Sequence, residues 1–425
     1  MSLVGVLGGG IAGLAVAGHA AADCEVLEAD TLVGGHCRSL VTDGYTFDLG
    51  GPHILFSRDQ QILDTLFGLL GDNLGRRRRA NKIWFRDRYV KYPFENGLGD
   101  LPPEDRYECL IHYLRNDHPP PANFREWILH NFGTGIAERY MIPYNEKIWK
   151  VPAQAMATDW VEGRVPKPPL EDVVRSAVGV ETEGYVHQLT FGYPLAGGIE
   201  ALPAALAMRC RRIVTGFCVR RVWREADGWH VGDGRTTRRY DRLVSTIPVQ
   251  ELIEALPDVP EEIRARAAAL RFNSLVTVML GLPSAEPLPF TAVYVPDPDI
   301  IFHRLSFPLA FTPNGAPAGH MAVTAEITAN PGQGADRLSD EAVIERTLAG
   351  LAAMGIGGGA APTFRAVHRT RYAYVVRTVG HAEHLAAVLA YVAGLGIVSV
   401  GRNAEFEYIN MDEAVRRALV VARAL

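Results

Sequence analysis

A glycine triplet near the N-terminus, Gly8, Gly10 and Gly13, constrains the chain more than any other feature. The apolar run LVGVL (3–7) before it reads as a short buried strand. The small-residue stretch after it suits a tightly packed helix, and a second apolar run, CEVLEAD, follows. Together they form a β–α–β unit with GxGxxG at its first turn. Glycine there permits the sharp turn and lets backbone N–H groups approach a pyrophosphate at the positive end of the helix. Glu28 closes the second run near the ~20-residue offset at which a carboxylate accepts hydrogen bonds from a ribose diol. A glycine-rich turn that binds nothing is the plainer alternative, and the succession of strand, loop, helix, strand and acid argues against it.

Composition narrows the partners. With 425 residues, 48% hydrophobic and 21% charged, the chain is long enough for one large or two to three smaller domains and fits neither a disordered nor a collagenous class. Lys and Arg number 43 against 48 Asp and Glu, a net charge of −5, so no global positive field holds nucleic acid. Cys24, Cys37, Cys109, Cys210 and Cys218 are scattered, with no CxxC pair and no His at zinc spacing, which predicts a reducing cytosol and no structural metal. The apolar start lacks a basic n-region, so export is not expected. Leu385 to Gly401 falls short of a membrane span and reads as a buried helix running into a buried strand.

Along the chain the pattern changes twice. From about Pro102 to Val174 apolar residues recur at three- and four-residue spacing around the breaker HPPPAN, which predicts an inserted helical domain. Short β runs punctuated by DG turns follow, and a second β-rich block occupies about 274 to 328. The expected class is α/β. A Rossmann-like dinucleotide-binding domain is assembled from discontinuous segments (1–75, 190–270 and 365–425), with a helical insertion (100–180) and a mixed β-sheet substrate domain (76–99 and 271–364).

A second glycine loop, LVGGHCRSL, allows another close backbone approach at Gly34 and Gly35 and places Arg38 to meet a phosphate or a flavin edge. The dinucleotide motif followed by GG-x-x-R-S resembles the flavoprotein superfamily of amine oxidases, protoporphyrinogen oxidase and UDP-galactopyranose mutase. That resemblance implies FAD, with GFCVRRV clamping the adenine at Val219. Downstream the likeness is to UDP-galactopyranose mutases, nearer the eukaryotic-type members. FDLGGPHILFS (47–57) resembles the loop beside the flavin and would set Gly51 and His53 there, although a satisfied loop histidine is the alternative. YVKYPFENGLGDLP resembles the family's YPFQ segment, with Tyr92 retained and Glu95 where glutamine is usual. An ionised carboxylate cannot donate a hydrogen bond, so the change bears on sugar or nucleotide specificity.

FREWILHNFGTGIAERYMIPYNEKIWKVPAQAM and DWVEGRVPKPPL form the longest match. They place Tyr140, Asn145, Trp149 and Arg164 where the family holds nucleotide-stacking and substrate-binding groups. A helix end with its aromatics in the core is the alternative. Arg304 sits in the otherwise apolar IIFHRLSF, where a cation needs an anion; Glu326 on the neighbouring probable strand is one candidate, and the family pattern instead sets this arginine on a substrate diphosphate. RYAYVV gives Tyr374, where the usual GYP has become AYV. IVSVGRNAEFEYINMDEAVRRAL resembles the mutase ending, with Arg402, Tyr408, Asn410, Met411 and Asp412 before a helix aimed at the flavin pyrimidine.

The resemblance implies interconversion of the pyranose and furanose forms of a nucleotide-diphospho-hexose such as UDP-galactose, without net redox. Reduced flavin N5 is then the covalent nucleophile, with a nicotinamide or other reductant supplying electrons. His53, Arg164 and Arg304 carry the catalytic roles, and a homo-oligomer is compatible. An FAD-dependent oxidase of amines or of a porphyrinogen-like ring, or a flavin-binding protein without catalysis, uses the same scaffold.

Overall fold

The computed structural model describes residues 2–161, 164–165, 167–183, 189–284, 286 and 288–425. Three positions of the DWVEGRVPKPPL match, Glu162, Gly163 and Pro166, lie outside them. The expected β–α–β unit opens the chain as strand Leu3–Leu7, helix Ile11–His19 and strand Asp23–Leu27, the two strands pairing in parallel. Arg242–Ser245 adds to the other side of the first strand, Ile397–Ser399 lies beyond it, and Arg212–Val214 pairs with Asp23–Leu27. Strands from distant parts of the chain thus build one five-stranded parallel sheet. Leu14, Ala15 and Val16 are fully buried, and a Cβ on Gly13 would stand 2.1 Å from the Gly8 carbonyl oxygen. Close helix–strand packing therefore needs the third glycine. The C-terminal helix Met411–Arg423 packs against the same helix.

The helical insertion runs through Pro103–Leu114, Phe124–Ile136, Ile142–Trp149 and Leu170–Ala177. Phe124, Ile128, Phe132 and Ile136 recur every four residues on one face and form the centre of its core. Asn123 starts this helix by accepting from the Glu126 N–H, and Glu126 reaches back to the Ala122 N–H. Leu385–Gly401 resolves as helix His381–Gly394 and strand Ile397–Ser399, as its composition predicts.

The third unit is a seven-stranded mixed sheet ordered Phe364–Val375, Phe272–Pro283, His320–Ala329, Arg304–Ser306, Ala292–Tyr294, Asn81–Phe85 and Arg88–Lys91. Phe364–Val375 differs from expectation. The sequence boundary at 365 gives it to the dinucleotide domain, yet it is hydrogen-bonded along Phe272–Pro283. His368, Thr370 and Tyr372 line the dinucleotide cavity while the Arg369 guanidinium bonds to Ala335, Leu338 and Asp340, so one strand is built into one sheet and lines the other unit's cavity.

Register across this sheet positions the site. Tyr294 is opposite Arg304, Arg304 opposite Glu326, Glu326 opposite Thr277, and Thr277 opposite His368. Directly paired residues share a face, so a row of polar side chains crosses the sheet. The loop after strand Tyr45–Asp48 lies on that face. Thr277 donates its hydroxyl to the Leu49 carbonyl at 2.8 Å, and Gly51, at φ +79°, rests on the Glu326 carboxylate where a Cβ would be 2.5 Å from an oxygen. Among the described residues no helix is long and apolar enough to cross a membrane.

Candidate active site

Two cavities, of about 600 and 650 Å³, adjoin. Six residues line both: His36, His53, Thr370, Arg402, Asn410 and Met411.

The first cavity collects the glycine motifs. Gly8, Gly10, Glu28, Gly35, Arg38 and Val219, all expected at the cofactor, line it together. Gly10 is the N-cap of Ile11–His19 and supplies no side-chain cap, which leaves the first-turn amides of that helix free for an anion. A Cβ on Gly10 would meet nothing within 4 Å, so the backbone stands against open space. Glu28 is held by the N–H groups of Gly9 (2.7 Å) and Asp30 (2.8 Å), while burial raises its pKa. Arg38 bridges to Asp30 at 3.2 Å and keeps a buried Nε without a protein partner. At the far end Asn410 caps the C-terminal helix without a side-chain hydrogen bond, so a second bare helix N-terminus reaches the junction. Free amides, a ribose-side carboxylate and an orphaned guanidinium nitrogen are a donor set that fits FAD.

The second cavity is aromatic and cationic together. Tyr92 stacks on Tyr294 at 4.7 Å between ring centroids, and Trp149 meets Tyr408 edge-on at 5.3 Å. Six arginines line it (Arg58, Arg79, Arg164, Arg304, Arg402 and Arg416) against three carboxylates, Asp59, Asp412 and Glu413. Arg164 donates to the Tyr408 carbonyl and lies 4.5 Å over the Tyr408 ring, with Arg402 5.2 Å from the same ring. Arg402 is fixed by two bonds to the Ile409 carbonyl, at 2.9 and 2.6 Å. Arg304 pairs through Nε and Nη2 with both oxygens of Glu326, each at 2.6 Å. Burial draws its pKa down, and the fully buried carboxylate more than offsets this and holds it well above the ordinary value. Its Nη1 has no protein partner among the described residues.

His53 stands at the junction with Nδ1 2.8 Å from the Gly51 carbonyl. Burial first, then Arg402, lowers its pKa to about 3, so the ring is neutral at physiological pH. Ser57 donates to Asp412 at 2.8 Å and ties this loop to the C-terminal helix.

Of the predicted substrate residues, Tyr92, Asn145, Trp149, Tyr374 and Tyr408 line the second cavity, and Tyr140 and Glu95 do not. Tyr140 is buried between Phe94 and Tyr144, at 5.0 and 5.4 Å, so the core alternative describes it. Glu95 is 3% exposed, and burial raises its pKa to about 7. Gly51 lines neither cavity and instead admits the Arg304–Glu326 pair beneath the loop. Gly13 likewise acts through packing. Asn145 accepts from the Trp149 indole at 3.0 Å and donates to the Met141 carbonyl at 2.7 Å, which orients that tryptophan. Tyr144, Tyr294, Trp160 and His36 were not predicted. Tyr144 follows the quoted Tyr140 by one helical turn, a spacing that could have found it.

A family model described as flavin containing amine oxidoreductase matches residues 11–425. Among solved structures, a reduced UDP-galactopyranose mutase superposes with a TM-score of 0.90 at 25% identity, covering 99% of this chain and 95% of that one. A protein described as a putative protoporphyrinogen oxidase from Exiguobacterium sp. 255-15 gives 0.77 at 20% identity, covering 99% and 98%. Cyclohexylamine oxidase from Brevibacterium oxydans IH-35A gives 0.70 at 15%, covering 99% and 98%.

Proposed function

The chain belongs to the flavin containing amine oxidoreductase family, and from that premise we propose that it is an FAD-dependent, non-redox mutase interconverting pyranose and furanose forms of a nucleotide-diphospho-hexose. UDP-galactose is the default substrate, and the expected nearness to eukaryotic-type mutases is part of the proposal. What carries the reading is the cationic cavity in front of the flavin junction, with six arginines against three carboxylates. Such an excess suits a diphosphate and has no use for an amine. The 25% identity and 0.90 TM-score to a UDP-galactopyranose mutase support it.

When bound and reduced, FAD would supply an electron-rich N5 as nucleophile toward an anomeric carbon. The chain's own residues do the rest. Arg164 and the Nη1 of Arg304 meet the leaving diphosphate, and Tyr374 and Tyr408 donate hydroxyls to its oxygens. Tyr92, Tyr294 and Trp149 give flat faces for base and sugar and keep water away, which strengthens each polar contact. Neutral His53, which lines both cavities, would serve a bound flavin as donor or acceptor without adding charge. The uncapped N-terminus of Met411–Arg423 favours a negative charge on a reduced flavin. A nicotinamide donor would reduce the enzyme before turnover.

A second reading, an amine or porphyrinogen oxidase, draws on the tyrosine-rich wall and on the neutralisation of Arg304 by Glu326. Incubating the dithionite-reduced protein with a panel of nucleotide-hexopyranoses separates the two. The mutase gives an equal-mass isomer with reduced enzyme alone. Turnover of an amine with oxygen uptake, and no isomer, overturns the proposal.

A further inference from the structure

His36 is the only member of the GGHCR loop that reaches both cavities; Gly34, Gly35, Cys37 and Arg38 line the dinucleotide cavity alone. The adenosine end of that cavity is marked by Glu28 and Val219, so the reactive ring of a bound flavin belongs at the opposite end, where the second cavity begins. His36 is there, its carbonyl oxygen 2.4 Å from where a Cβ on Gly50 would stand. The loop carrying His53 is thus pressed directly against it.

The charges around this ring are one-sided. Arg402 faces it from the C-terminal segment, His368 from strand Phe364–Val375, and the backbone of Tyr372 bonds it. His53 and Arg304 extend the same environment across the junction. The carboxylates of this neighbourhood are engaged elsewhere. Asp48 accepts from Ser39, Tyr193 and the Ile199 N–H, Glu326 holds Arg304, and Asp412 holds Ser57. Among the described residues, the groups acting on His36 are Arg402, His368 and the Tyr372 backbone, with no carboxylate among them. Burial and Arg402 keep its pKa at about 4 in the protein alone.

A reduced flavin changes that balance, because two-electron reduction with one proton at N5 leaves a negative charge on the ring. We propose that His36 is a positioning and proton-accepting group for the cofactor, taking up a second proton when the flavin is reduced. The electrons come from a nicotinamide donor or dithionite. The flavin takes two electrons and one proton, and the His36 imidazole takes the other proton from solvent, leaving a neutral pair. An anion about 4 Å from an imidazole in a partly buried site raises its proton affinity roughly a thousandfold, enough to bring a group at about 4 to neutrality. His53 has its Nδ1 on the Gly51 carbonyl of its own loop and is faced by Arg402, Arg304 and His36 together, so the proton is assigned to His36. The inference rests on the flavin's presence and not on which substrate follows.

The test is the pH dependence of the flavin midpoint potential, measured on sugar-free holoprotein between about pH 6 and 8. For a two-electron couple each proton contributes a tenfold change per pH unit, 29.6 mV. Wild type should fall by about 59 mV per pH unit at the acid end of this range and bend toward half that above about pH 7, His36→Gln should fall by half that throughout, and His53→Gln should match wild type. A one-proton slope in wild type, an unchanged slope in His36→Gln, or loss of the second proton in His53→Gln overturns the assignment. Should His36→Gln fail to hold flavin, ¹⁵N-histidine spectra of wild type decide: one ring becomes doubly protonated on reduction near pH 7, and no change overturns it. A protein with the two-proton slope that isomerises no sugar nucleotide loses the proposed function and keeps this one.

Discussion

Replacing Glu326 by glutamine probes the pair that joins fold to chemistry. Glu326 is fully buried, and both its oxygens lie 2.6 Å from the Arg304 guanidinium. Glutamine keeps the shape and one acceptor but turns the other position into an NH2 facing an N–H. The cation is then left without its counter-charge in a site 21% exposed. Removing one partner of such a pair costs about 3–5 kcal/mol, and the retained bond favours the lower end. The same loss should improve anion binding. A unit charge about 5 Å from a phosphate oxygen, at an effective dielectric near 20, contributes about 3 kcal/mol. Screening by physiological salt leaves roughly 1–2 kcal/mol, about a five- to thirtyfold gain in affinity. Thermal melts of the holoprotein with and without UDP read both effects: a lower melting temperature for the variant alone, and a larger UDP-induced rise than in wild type. An equal UDP shift in both proteins would mean that Arg304 does not face the ligand, and unchanged stability would mean that the pair is not the anchor of the sheet face.

Glu95→Gln should show a pH-dependent gain. Burial raises the carboxyl from 4.5 to about 7, so the folded state keeps a proton that the unfolded chain has released, and stability falls as pH rises through that window. The variant should melt close to wild type near pH 5 and be more stable by about 2 kcal/mol or more at pH 8. Gly10→Ala should fold and melt normally yet lose flavin, read from absorbance, because its methyl group enters open space beside the helix N-terminus. Gly13→Ala, 2.1 Å from a backbone oxygen, should destabilise the protein itself by roughly 1–3 kcal/mol. Arg164→Lys keeps charge but loses the planar fork over Tyr408, and calorimetry with UDP should show affinity about tenfold weaker.

The dinucleotide site was legible because its chemistry is local. Gly8, Gly10, Gly13 and Glu28 lie within one β–α–β unit, so spacing alone predicts their geometry. The second cavity is built otherwise. Arg304, Tyr294 and Glu326 meet through strand register, and neither the pairing nor the face of a strand can be read from one short apolar run. The sequence offered Glu326 or a diphosphate as the partner of Arg304, and the folded chain supplies the first. Tyr140 went astray because an aromatic at a helix end has the same pattern whether it stacks on a base or, as here, between Phe94 and Tyr144. His36 was passed over since GG-x-x-R-S treats its position as free, and only the meeting of two cavities gives it a role.

Cleavage of the anomeric carbon–oxygen bond is the event on which the proposed mutase depends, and isotope scrambling reports it directly. UDP-galactopyranose carrying ¹⁸O in the bridging position is incubated with the enzyme, and the phosphorus resonances are followed. With reduced flavin the label should move to a non-bridging β-phosphate position, and with oxidised flavin it should stay. A label that never leaves the bridge under reducing conditions, for this and the other sugar nucleotides of the panel, contradicts a departing diphosphate held by Arg164 and Arg304.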